Sequence, residues 1–199
     1  MVSWNTLKNR LCIALLLGAA SIQAAVAGPV LSMTATANPA LVGSTVNVDV
    51  SITDIADLYA YQFSLSFNPA LLQVAGPGTE GLFLTNGGST FFDGGTVNNG
   101  AGTISLVFDS LEGFVPGVSG SGILAHFSFN VIGAGASVLS FSDVLFLDST
   151  LNDVLVRADN LILVSAEVPG PAPVPEPAAL WLLGIGLAGL TVARRRKAG

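Results

Sequence analysis

From Val30 to Val164 apolar residues recur at every second position, with no stretch at helical spacing, and this pattern narrows the fold more than any other feature. In TVNVDVSIT, Val46, Val48, Val50 and Ile52 share one face, and Thr45, Asn47, Asp49, Ser51 and Thr53 the other. In YAYQFSLSF, Tyr59, Tyr61, Phe63, Leu65 and Phe67 alternate with Ala60, Gln62, Ser64 and Ser66. The same rule puts Ile104, Leu106 and Phe108 of TISLVFD inward, and groups Ile123, Ala125, Phe127, Phe129 and Val131 of GILAHFSFNV. SVLSFSDVLFLD and NLILVS complete the series. A period of two belongs to strands with one packed face and one wet face. Two sheets packed face to face bury many such strands at once, and without intervening helices no parallel crossover forms. The pattern therefore predicts an all-β sandwich. The glycine-rich segment Gly76–Gly102 (NGGST, FFDGG, NNGAG) reads as hairpins and mobile loops, and as a candidate recognition edge.

The chain is 51% hydrophobic with 10% charged residues, too apolar for an ordinary soluble domain, and the excess sits at its two ends. MVSWNTLKNR carries Lys8 and Arg10 ahead of an apolar core, LCIALLLGAA, that is too short to span a bilayer. Ala25-Val26-Ala27 supplies the small-x-small pattern a signal peptidase reads, which predicts a signal peptide over 1–27 and a cut before Gly28. Cys12, the single cysteine, leaves with it, so the mature chain has no disulfide, thiolate metal site or cysteine nucleophile.

Between residues 28 and 193 Arg157 is the only basic residue against thirteen acidic ones, a formal charge of −12 that the whole-chain value of −6 conceals. Such a surface repels phosphate backbones and excludes nucleic acid as a partner. It suits cations, neutral sugars or a basic protein patch, and equally serves plain solubility.

Enzymatic constellations are thin. His126, the only histidine, alternates onto an outer or edge face, and no Gly-x-Ser-x-Gly elbow accompanies it. It therefore reads as an ordinary half-exposed strand residue. Ligands for a histidine zinc site and a phosphate-binding glycine loop are both lacking. Asp49, Asp54, Asp57, Asp93, Asp109, Glu112, Asp143, Asp148, Asp153 and Asp159 could supply a glycosidase pair, but the aromatic residues that would form sugar platforms fall inward. Asp143, Asp148, Asn152 and Asp153 lie in one loop-rich stretch with Ser149 and Thr150, an oxygen-rich set that suits calcium or serves as a solvated acidic loop.

The last strand gives way to Val168-Pro-Gly-Pro-Ala-Pro-Val-Pro175, a stiff extended linker. Ala178–Ala193 is an uncharged run of sixteen residues, and it reads as a transmembrane helix stretched by flanking arginines that snorkel. Arg194, Arg195, Arg196 and Lys197 put the C-terminus in the cytoplasm. The predicted organisation is a signal peptide (1–27), a sandwich (28–167), a linker (168–177), a membrane helix (178–193) and a basic tail (194–199).

Two resemblances follow from these residues. NVDVSI, YAYQFSLSFNPALLQV, GTISLVFDS, SGILAHFSFNVIGAG and LSFSDVLFLDSTLNDVLV resemble, in order and spacing, the cohesin-like module. Its aromatic strand running into a Phe/Tyr-Asp/Asn-Pro-x-x-Leu turn is matched by Phe67-Asn68-Pro69-Ala70-Leu71-Leu72, and its late Gly-x-Leu-x-x-Phe-x-Phe strand by Gly122 to Phe129. The resemblance implies a jelly-roll sandwich of about nine strands over residues 31–165. It also implies kinship with modules that bind dockerins or carbohydrate. Pro175-Glu176-Pro177, the apolar run and the basic end resemble the PEP-CTERM sorting signal of exported bacterial proteins. That resemblance implies processing by an exosortase near the Pro-Glu-Pro triplet, in a Gram-negative bacterium that makes an extracellular polysaccharide matrix. The expected protein is an inner-membrane-anchored precursor that ends at the cell surface or in the matrix. Its non-enzymatic sandwich would bind a polysaccharide or an extracellular protein. The alternatives are a glycan-active or calcium-dependent enzyme, and a structural surface-layer component with no discrete ligand.

Overall fold

The computed structural model describes residues 28–167. Gly28 is exposed at the start of this region. The other signal-cleavage residues, Ala25 and Ala27, lie outside the described residues, as do the signal peptide, the linker with Pro175, Glu176 and Pro177, the apolar run and Arg194–Lys197.

The described residues form twelve strands and one short helix: β1 (Val30–Ala35), β2 (Ala40–Leu41), β3 (Thr45–Ser66), β4 (Leu72–Val74), β5 (Thr79–Glu80), α1 (Leu82–Thr85), β6 (Thr90–Asp93), β7 (Thr96–Asn98), β8 (Thr103–Leu111), β9 (Val118–Val131), β10 (Gly135–Asp148), β11 (Arg157–Ala158) and β12 (Leu161–Ala166). The count exceeds the expected nine because β2, β5 and β11 are two-residue edge pairings. The glycine-rich segment, read as hairpins and mobile loops, carries β5, α1, β6 and β7, and both β6 and β7 pair antiparallel with β8.

The 22 residues of β3 belong to both layers of the sandwich. The first half pairs antiparallel with β1 and β9, and the second half, from Leu58 on, with β8 and β10. The strand changes layer through irregular pairing between Ile52 and Leu58, where Asp54 and Asp57 take φ of 55° and 57°. A strand that crosses a sandwich corner bends at such bulges. The first layer extends from β1 to β11 and from β9 to β4 and β5; the second extends from β8 to β6 and β7. The start of β10 pairs with β12, which in turn pairs with β2.

Between the layers the alternating residues meet as expected. Val46, Val48, Val50 and Ile52 are fully buried, as are Phe63, Phe127 and Phe129. Phe63 of β3 meets Phe127 of β9 edge-on at 6.4 Å and Phe141 of β10 at 5.5 Å, which joins the two layers at one ring. Offset and edge-on pairs of this kind contribute about 0.5–1.5 kcal/mol each beyond burial. The Phe67-Asn68-Pro69 turn is closed by Asn68, whose Oδ1 accepts from the Ala70 amide at 3.0 Å while its carbonyl accepts from Leu72.

Two strands depart from the predicted inward set. In β8 the pairing jumps from Leu65↔Ile104 to Phe63↔Val107, so one extra residue stands in β8. Leu106 at that bulge has φ 58° and is 52% exposed; Phe108 faces outward, and Val107 and Asp109 are buried in their place. In β9 a shift between Ala125 and Ile123 likewise buries Leu124 and leaves Ile123 half-buried. A one-residue bulge inverts the facing of everything beyond it.

Candidate functional site: the outer face of the second layer

The second half of β3 runs between two bulged neighbours. On one side β8 bulges at Leu106; on the other, the pairing of β10 jumps between Ser142 and Leu145, and Asp143 takes φ 51°. Both irregularities lie level with Ser64, which pairs with Ser142 and whose hydroxyl accepts from the Leu106 amide at 3.2 Å. Left-handed backbone at a leucine or an aspartate costs about 1–2 kcal/mol, so the surrounding sheet must enforce it. The result is a shallow hollow lined by Ser64, Ser66, Ser105, Leu106, Ser142 and Asp143. Its floor is a hydroxyl ladder, with Ser66 and Ser140 in contact across strands at 2.7 Å.

Toward the other end of the same face the surface turns apolar. Leu145 and Leu147 of β10 flank Gln62 and Ala60, and Phe108 of β8 lies on their far side. Phe91 of β6, 59% exposed, sets its ring 5.7 Å from that of Phe108. A rigid sheet thus presents two exposed or half-exposed aromatic rings and three leucines beside a strip of hydroxyls. Such a surface can bury apolar side chains and hydrogen-bond an extended partner. Of the residues lining its two hollows none is a histidine, and the carboxylates are Asp143 at the hydroxyl end and Asp109 at the apolar end.

His126 sits on the outer face of the first layer, as its alternation predicts. Its Nδ1 is 2.7 Å from Asp49 Oδ1 across the β3–β9 pair, and both side chains are partly exposed. Its ring bonds Asp49, and among the described residues no serine is hydrogen-bonded to it to complete a triad.

The four oxygen-bearing residues proposed for calcium are not gathered into a metal site. Among the described residues no three of His, Cys, Asp or Glu lie close enough to hold an ion. Asp148 instead caps its own loop. Its Oδ1 accepts from the Thr150 amide, the Thr150 hydroxyl and the Asn152 amide at 2.8–2.9 Å, which holds the carboxyl below the usual range. Asp143 lies at the bulge of β10, where Ser142 donates to it, and Asp153 closes the loop by a bridge to Leu147.

The remaining acids are mostly structural. Asp57 clamps two loops: Oδ2 accepts from the Ser149 hydroxyl at 2.7 Å, Oδ1 from the Gly117 amide at 2.8 Å, and these donors lower its pKa. Asp93 accepts from Gly95, and Asp159 pairs with Arg157 at 2.9 Å on an exposed strand end. Asp109 is buried, 1% exposed, beneath the apolar end of the outer face.

The pattern that sequence reasoning missed is the face itself. Alternation puts Leu106 and Phe108 in the core, and only the bulge of β8, set by pairing with β3, turns them out.

Comparison with known proteins agrees with this architecture. The sequence model of the Cohesin domain family matches residues 31–161, and that of the PEP-CTERM protein-sorting motif matches residues 173–197. No curated protein matches the chain by sequence similarity. Among solved structures, the non-cellulosomal cohesin of Archaeoglobus fulgidus superposes with a TM-score of 0.54 at 19% identity, over 70% of this chain and 92% of that one. The sixth cohesin of scaffoldin B from Acetivibrio cellulolyticus, crystallised with a Cel5 dockerin, gives 0.58 at 23% identity, over 70% of this chain and 100% of that one. The second type II cohesin module of the ScaA scaffoldin from the same organism gives 0.59 at 17% identity, over 78% and 97%. At these identities the structures establish a shared fold.

Proposed function

The chain belongs to the cohesin family, and from that premise we propose that its outer face of Ser64, Leu106, Phe108, Phe91, Leu145 and Leu147 holds a protein partner. The protein is an exported binding module, not an enzyme. One observation carries the assignment of the face: Leu106 is kept in a left-handed conformation that turns a large apolar side chain out of the core and into solvent. A fold retains such strain where the exposed side chain is used. A dockerin-type partner fits the reading, since one of the superposed cohesins was crystallised with a dockerin.

The sorting motif supplies the setting. In our reading signal peptidase cuts after Ala27, and residues 178–193 cross the inner membrane with Arg194–Lys197 in the cytoplasm. An exosortase then acts near Pro175-Glu176-Pro177 and delivers the acidic sandwich to the surface or matrix of a Gram-negative cell.

The test is to immobilise the chain and present a panel of dockerin modules and, separately, matrix polysaccharide. Expected is binding of a protein module that Leu106→Asp and Phe108→Asp each reduce at least tenfold. Binding untouched by both substitutions, or binding of polysaccharide alone, would overturn the assignment.

A further inference from the structure

The charges of the sandwich are unevenly placed along its length. Residues 35–48, 58–79, 94–108, 127–142 and 160–166 include no Asp, Glu, Lys or Arg. The fold brings the turns of all five segments to one end. There the Gly43 amide donates to the Val131 carbonyl at 2.8 Å, the Ile132 amide to Leu71 at 2.8 Å, the Phe67 amide to Gly102 at 2.8 Å and the Val42 amide to Ala166 at 2.9 Å. Asp54, Asp57, Glu112, Asp148, Asp153 and Asp159 stand at the opposite end, around the corner of β3 and the start of β1. The acids inside the strands lie between, and Glu167 is the first charge past β12.

The uncharged end also carries apolar side chains in solvent. β12 pairs with β10 and β2, and the pairs Ile162↔Val138, Val164↔Ala136 and Ala166↔Leu41 set their side chains on one outer face. Ile162, Val138, Val164 and Leu41 are 43–57% exposed, and Ile132 on the adjoining turn is exposed as well. On its inner side β12 buries Leu163. A strand that is apolar on both sides belongs where both sides are covered. The outer face of β3 and β9 shows the wet alternative: Thr45 bonds Asn130 at 3.0 Å and Ser128 bonds Asn47 at 2.8 Å across the strands.

The position of this face in the chain identifies what covers it. β12 leads into the eleven residues Glu167–Pro177, and these into the uncharged run Ala178–Ala193. Eleven residues reach at most about 35–40 Å. A membrane span over 178–193 therefore holds the uncharged end close to the lipid surface. Anionic headgroups repel the acids of the far end and leave the uncharged end free to approach.

We propose that the outer face of β10 and β12, with Leu41 and Ile132, rests on the lipid surface while the chain is anchored. The contact rests on the reading that residues 178–193 cross the membrane. Half-exposed aliphatic side chains gain by entering the boundary between headgroups and acyl chains. Five of them bind weakly when free, but a short tether supplies an effective concentration on the order of millimolar. The module then stands with Ser66 toward the bilayer and Phe108 and Leu147 clear of it, toward the acidic end. Release from the anchor removes the tether and frees the face.

Residues 28–199 retain every strand pairing of the fold and contain no cysteine, so one introduced thiol can carry a nitrobenzoxadiazole dye. Leu41→Cys, Ile162→Cys and, at the acidic end, Leu155→Cys are each reconstituted into vesicles of phosphatidylethanolamine and phosphatidylglycerol that hold a lipid-borne spin label. Quenching should be several-fold stronger at positions 41 and 162 than at 155. Adding Ile162→Asp and Val164→Asp, both at exposed positions, should abolish the difference at 41 without lowering thermal stability. Equal quenching at all three positions, or none at 41 and 162 in vesicles that carry the chain, would overturn the contact and leave the anchor standing. A chain that fails to float with the vesicles would refute the span, and the contact with it. Crosslinking of unlabelled Ile162→Cys between copies, without quenching, would assign the face to a second copy and overturn the proposal.

Discussion

The Leu106 amide donates to the hydroxyl of Ser64 at 3.2 Å, so a backbone group at the bulge of β8 is met by a side chain of the strand it bulges against. Removing that hydroxyl in Ser64→Ala leaves the amide poorly paired and should destabilise the chain by about 1–2 kcal/mol in urea unfolding. Leu106→Gly should behave in the opposite sense. It relieves the left-handed strain and exposes no new core, so stability should hold or rise by up to ~1 kcal/mol while partner binding falls.

Phe63 joins the layers through Phe127 and Phe141. Phe63→Ala should cost about 3–5 kcal/mol, the range for truncating a buried aromatic ring. Phe91→Ala, at an exposed ring, should stay within about 1 kcal/mol. Equal losses in equilibrium unfolding would contradict the burial described here.

Stability should peak on the acid side of neutrality. The folded Asp109 carboxyl titrates near 7, above its unfolded value, so its contribution is complete below the ordinary carboxylate range and disappears as pH rises to about 7. Asp57 and Asp148 are shifted downward by their hydrogen bonds; they contribute above the ordinary range and lose that contribution as pH falls through their folded pKa values. Thermal unfolding from pH 3 to 9 should therefore show a maximum near pH 4–5. In Asp109→Asn the decline toward neutrality should flatten.

Because Asp148 spends its oxygens on Thr150 and Asn152, neither millimolar calcium nor a chelator should move the melting temperature measurably. A rise of several degrees with calcium would show that the loop opens to take the ion.

For sorting, the double substitution Pro175→Ala, Glu176→Ala should leave the chain in the membrane fraction. Cell fractionation with an antibody to the sandwich reads this directly. Undiminished release would refute processing at the triplet.

The runs that decided the fold class were legible because nothing interrupts their period. Val46–Ile52, Tyr61–Phe67 and Phe127–Val131 bury their alternating apolar residues as read, whereas Tyr59 is only half-buried and Ser64 is buried as well. The face was illegible for a related reason. ISLVFD looks like one uninterrupted strand, yet the bulge between Ile104 and Val107 arises from how β8 registers on β3, some forty residues away in sequence. One inserted residue exchanged Leu106 and Phe108 for Val107 and Asp109, which both created the exposed face and buried the acid. The Asp148 loop was illegible for another reason: composition does not reveal that its carboxylate accepts from the amides of Thr150 and Asn152.

β10 spans two neighbours, pairing with β12 over Gly135–Leu139 and with β3 from Ser140 onward, where Leu145 and Leu147 stand on the outer face. β12 ends at Ala166, the residue from which the chain continues toward the sorting segment. A partner gripping the face while the C-terminus is held would therefore pull β12 and β10 past each other along their lengths. Load of that kind falls on all five residue pairs at once, so the joint resists as a lap seam and does not peel open pair by pair.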